Sequence, residues 1–94
     1  MVQKMKLSEM RIRRRILVKM VRHNWWGGKH TAYDNIPRGF PKDLWKDVRV
    51  ELDHLIKEGI ILTKPTGYGL HLSLNVQMKS EIERIIFSSN SSGF

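Results

Sequence analysis

The chain has no cysteine among its 94 residues, so disulfides and thiolate metal sites are excluded outright. Its longest purely apolar runs are a few residues, as in "GIIL" at 59–62, too short to span a bilayer. The opening stretch "MVQKMKLSEMRIRRR" lacks the apolar core of a signal peptide. These absences fit an intracellular, cytoplasmic protein. Acid is scarce where base is dense: residues 1–30 carry nine Lys or Arg against Glu9 alone. Residues 31–94 hold eight of each sign, so the whole formal charge of +8 sits in the first third. Such a one-sided excess asks for a polyanionic partner, with nucleic acid ahead of a membrane surface.

The chemistry of catalysis is missing too. The four histidines (His23, His30, His54 and His71) show no zinc spacing and have no cysteine to support them. No Ser/His/Asp set or paired carboxylates can be argued. "WWGGKHT" contains Gly-Lys, but a phosphate-binding loop needs a glycine five residues earlier and a hydroxyl after the lysine. Both places, 23 and 30, are histidine. No metal, no cofactor and no enzyme activity are therefore expected. At this length there is one core and no room for a second domain.

What is present reads as an ordered series of short elements. Ser8 can cap a helix from residue 9 to about 22. Met10, Ile16, Leu17, Met20 and Val21 lie on one side of it, and Arg11, Arg15, Lys19 and Arg22 on the other. Arg13 falls near the apolar arc and is expected to reach water along its stem. "NWWGGK" ends the helix, with Gly27 and Gly28 as breakers. Of the adjacent Trp25 and Trp26, one is expected in the core and the other as a partly buried lid, although either ring could stack on a base. Thr31 to Asp34 has the pattern of a capping box and predicts a short second helix that Pro37 stops. Gly27–Lys29 could offer backbone N–H groups to a phosphate near its start. Pro41 suits the first position of a third helix, with Leu44, Trp45, Val48, Leu52, Leu55 and Ile56 as its apolar face and Gly59 after its end. Ile60–Thr63, a turn at Pro65, Thr66, Gly67 and Gly69, and alternating Leu70, Leu72 and Leu74 predict a β-hairpin. Asn75 can cap a last helix bearing Met78, Ile82, Ile85 and Ile86. "SSNSSGF" reads as a polar tail.

The stretch "FPKDLWKDVRVELDHLIKEGIILTKPTGYGLHLSL", an amphipathic helix ending in "KEGII" and followed at once by a Gly-rich hairpin, resembles the winged helix-turn-helix family. The resemblance covers about Ser8 to Ile86. The expected fold is thus α+β and mostly helical: a three-helix core, a β-hairpin wing and a C-terminal helix. Residues 1–7 would be a basic arm, 8–87 the winged-helix domain and 88–94 a flexible tail. "NIPRGFP", with two prolines, is longer than the commonest turn of that family. The resemblance implies that the third helix enters a DNA major groove and presents Lys42, Trp45, Lys46, Arg49 and Val50. It implies wing contacts from Lys64, Thr66, Tyr68 and His71.

The charges of the third helix fit this. At about 100° per residue, Lys42, Lys46 and Arg49 form one flank of the apolar face, and Asp43, Asp47 and Glu51 the other. Like charges one turn apart are mildly destabilising, so the sorting makes sense if the basic flank meets phosphates and the acidic flank meets the Arg-rich first helix or solvent. Base reading would fall to Arg49 or Lys46, which suit guanine. Arg11, Arg14, Arg15, Lys19, Arg22, Lys29, Arg38 and Lys64 would contact phosphates. Double-stranded DNA is the expected partner, and a transcriptional regulator the expected role. An RNA- or ribosome-associated module and a protein-interaction winged helix are the alternatives. The apolar last helix either seals the core or supports a homodimer, and the dimer is favoured because regulators of the resembled type often read two half-sites.

Overall fold

The computed structural model describes residues 7–91, with side chains over 8–87. The expected basic arm therefore lies, Leu7 apart, outside the described residues. The order is α1 (Leu7–Arg22), β1 (Thr31–Ala32), α2 (Trp45–Lys57), β2 (Ile61–Thr66), β3 (Gly69–Leu74) and α3 (Lys79–Ser91). Single 3-10 turns lie at Tyr33–Asn35, Pro37–Gly39, Lys42–Leu44 and Val76–Met78. The architecture is α+β and largely helical, with one three-stranded antiparallel sheet of order β1-β3-β2.

On α1, Ile12, Ile16, Leu17 and Met20 are buried, a spacing that lines one face of a helix. Met10 and Val21, expected on that face, are exposed, because the core arc is centred between Ile16 and Met20. Ser8 lies inside the first turn of α1 and does not precede it. The helix ends on Asn24 and not on the glycines. Asn24 takes φ 60°, its N–H meets the Val21 carbonyl, and the Trp25 N–H meets that of Met20. Asparagine tolerates this left-handed turn better than most residues.

The short second helix is not an α-helix. Thr31 is buried in β1 opposite Leu72, and its hydroxyl accepts from Asn35 Nδ2 at 3.0 Å. The cap oxygen is thereby used, and the chain continues in two 3-10 turns around buried Ile36. Burying such a side chain contributes about 1.5–3 kcal/mol, whereas a helix this short has almost no stability of its own.

Pro41 precedes the Lys42–Leu44 turn, in extended ψ, and α2 proper starts at Trp45. Val48, Leu52 and Leu55 face the core. At the other end Gly59 adopts φ 78°. Its N–H reaches the Ile56 carbonyl, and that of Ile60 reaches Leu55, the paired bonds that commonly close a helix. The chain then turns directly into β2. Pro65 and Thr66 belong to the strand and pair with Leu70 and Gly69, leaving Gly67–Tyr68 as a two-residue tip. Trp25 and Trp26 run beside the end of β3, where the Leu74 N–H meets the Trp25 carbonyl at 2.7 Å. Both indoles are half-buried against the core, so neither is the fully buried partner the sequence suggested. Asn75 does cap: its side chain accepts from the Gln77 N–H and donates to the Gly59 carbonyl, pinning the approach to α3 onto the end of α2. Ile82 and Ile86 of α3 complete the core, and α3 continues to Ser91, into the segment read as tail.

Candidate nucleic-acid interface

Arg13 has the opposite fate from the one expected. It is 11% exposed and does not reach into water. Its Nε bonds Glu51 Oε2 at 2.5 Å, and its two terminal nitrogens grip Glu58 at 2.9 and 2.7 Å. Burial works against the charged form, but the bonds to Glu58 and Glu51 outweigh it and hold the Arg13 pKa above its ordinary value. Glu51 is 2% exposed. Part of the acidic flank of α2 is thus turned onto α1, as its sorting suggested. The guanidinium fork matches two carboxylates at once.

The opposite flank of α2 faces outward. Lys46 and Arg49 are exposed, as is Lys42, whose Nζ stands 5.9 Å from the Trp45 ring centre. Trp45 is half-buried, and its indole N–H donates to the Phe40 carbonyl at 2.9 Å, so its polar group is occupied within the fold. Tyr33 donates to Asp53 at 3.2 Å, and burial first, then Asp53, pushes its pKa up to about 12. Asp43 and Asp53 are exposed as well, whereas Asp47 lines a groove with Ser8 and Ile12 of α1.

The hairpin residues divide. Lys64 is exposed and Tyr68 fully exposed at the tip. Thr66 is engaged in the turn: its hydroxyl donates to the Gly69 carbonyl and accepts from the Tyr68 N–H. His71 points to His30, with their Nδ1 atoms 2.8 Å apart and the rings edge to face. One imidazole must donate and the other accept, so His71 is turned toward the β1 side of the sheet.

The cations of the described residues are densest on α1. Arg11, Arg15 and Arg22 are exposed. Arg14 Nε donates to the Ile86 carbonyl at 2.8 Å, and Lys19 Nζ to the Asn35 carbonyl at 3.2 Å. None of these five shows a carboxylate within ion-pair distance among the described residues. The stripe of Arg11, Arg15, Lys19 and Arg22 sits roughly opposite Arg13 on the helix, so α1 stands between it and α2. Lys29 and Arg38 are exposed on the neighbouring turns. The sequence-predicted residues therefore do not form one surface: α1 itself separates its cationic stripe from the α2 flank, and the hairpin residues stand on the strands that follow α2.

Two grooves were not anticipated. One, of about 440 Å³, lies between the α1 stripe and the Gly39–Phe40 turn and includes His23. The other, of about 820 Å³, is apolar and runs between Val21, Trp26, Ile82 and Phe87, under α3. The only sequence signal for the first was Val18 set between Arg14 and Arg22 at four-residue spacing. Among the described residues no helix is long and apolar enough to cross a membrane, and no three His, Asp or Glu side chains gather as metal ligands. No family model, no curated protein and no solved structure matches this chain.

Proposed function

We propose that this chain is a nucleic-acid-binding protein built on a winged-helix plan, with double-stranded DNA as its leading partner and transcriptional regulation as its role. The observation that carries the reading is the cationic face of α1, with no carboxylate within ion-pair distance of its five cations among the described residues, on a chain whose residues 31–94 balance in charge. Such a face attracts a polyanion by releasing its counterions. The fold supplies the second support. An exposed helix flank bearing Lys42, Lys46 and Arg49 leads through Gly59 straight into a hairpin whose tip is free. In this reading α2 enters the major groove, with Arg49 or Lys46 at base edges, and Lys64 and Tyr68 meet the backbone or the minor groove. Thr66 and His71, already bonded within the fold, are dropped as contacts.

A second reading, an RNA- or ribosome-associated module, is favoured by the place of the charge: the densest cations lie on α1, away from α2. Titration of duplex DNA and hairpin RNA across a salt series separates the two. Duplex DNA should bind with a steep log–log salt slope that flattens by about one unit for each phosphate contact removed. Arg49→Ala should reduce discrimination between duplex sequences. Absence of duplex binding at low salt would sink the leading reading, and tight binding of hairpin RNA alone would install the second.

The groove beside α3 suits a second copy of this chain. Phe87 stands 62% exposed on its rim, a projection next to a hollow of matching character. Lys79 and Glu83, one turn apart on the same rim, would each face the other's charge across a two-fold axis, as an isologous contact requires.

A further inference from the structure

The cleft beside α1 is lined by Arg14, Arg15, Val18, Lys19, Arg22 and His23 on one wall and by Gly39 and Phe40 on the other, and among the described residues by no carboxylate. Two of its cations are held in place. The Arg15 guanidinium lies 4.8 Å over the Phe40 ring, and Lys19 is anchored on the Asn35 carbonyl. The Lys19 ammonium lies in the space that a Cβ on Gly39 would take, so the lysine packs directly against this turn. At the mouth of the cleft, exposed His23 lies flat on Trp25, ring centres 4.4 Å apart and planes within 11°. The left-handed residue Asn24 folds the chain back and makes this stack. One imidazole face is covered by the indole, and the exposed ring keeps its other face open.

A flat ring beside fixed cations matches a nucleotide whose base is free to stack and whose phosphate sits within the cleft. A continuous duplex offers the same phosphates but keeps its base faces inside the stack. We propose that this cleft binds an unpaired stretch of a phosphodiester strand, with a base on His23 and the adjoining phosphate among Arg15, Lys19 and Arg22. The proposal rests on the nucleic-acid reading above and specifies which form of nucleic acid α1 engages.

The test uses the full chain and four labelled 12-residue probes: an oligothymidylate, an oligouridylate, an abasic strand of equal charge, and a duplex. Binding of either pyrimidine strand at least about 5-fold tighter than the abasic strand is expected, the effect of stacking one base. His23→Ala should remove that preference, and His23→Phe, which keeps a flat ring, should retain it. Arg22→Ala should flatten the salt slope for single strands by about 0.7 units. Equal binding of abasic and pyrimidine strands, or no response to His23→Ala, overturns the cleft while leaving duplex binding intact. Failure of all four probes to bind at low salt overturns the nucleic-acid reading itself.

Discussion

Arg13 and Glu51 form the costliest single contact to disturb. Arg13→Met leaves the buried Glu51 carboxylate with only exposed His54 beside it, at 3.7 Å, and removing one member of such a buried pair typically costs about 3–5 kcal/mol. Adding Glu51→Met should recover most of that loss in urea or thermal unfolding, since two apolar groups of similar size leave no stranded charge. If the double variant is no more stable than Arg13→Met alone, this account of the pair is wrong. Tyr33 gives a pH signature. Its phenol titrates near 12 in the folded chain against an ordinary 10. The stabilisation is complete below pH 10 and is lost as pH rises through about 12, because the unfolded chain ionises first. Stability measured between pH 10 and 12 should fall less steeply in Tyr33→Phe than in the parent.

Among the elements, α2 was the most legible from the sequence. Its apolar spacing and the glycine after its last turn are local signals, and both act as expected. Gly59 holds φ 78° with open space where a Cβ would stand, so Gly59→Ala meets backbone strain and no collision. It should lower stability by about 1–2 kcal/mol in a thermal melt. Gly67→Ala, at the hairpin tip, also has open space, and its backbone lies outside the left-handed range, so it should change stability less. What the sequence hid is non-local. The partners of Arg13 lie 38 and 45 residues away, so its place on the apolar arc looked like an imperfection to be solved by snorkelling. Thr31 resembled a helix cap because a capping box is a local pattern, whereas its strand partner Leu72 lies 41 residues later. The two grooves depend on how α1 meets the Gly39 turn and α3, which no single segment encodes.

Over the whole molecule, charge and apolar surface are segregated around α1: cations on one edge, the Phe87 groove on another. Sedimentation at micromolar concentration should show a dimer that Phe87→Glu dissociates, with the monomer still folded by circular dichroism. A parent chain that sediments as a monomer would remove the two-fold contact from consideration. The same overall arrangement leaves β2 at an edge of the sheet, with no strand on its outer rim among the described residues. Pro65 has no N–H to offer there, and Lys64 beside it brings a charge that a stack of identical chains would have to repeat. This hairpin is thus protected against growing into fibrils, although β3 beside it carries three alternate leucines. The interruption leaves the tip residue Tyr68 free for its own contacts, and Pro65→Val should make the protein more prone to thioflavin-positive aggregation on warming.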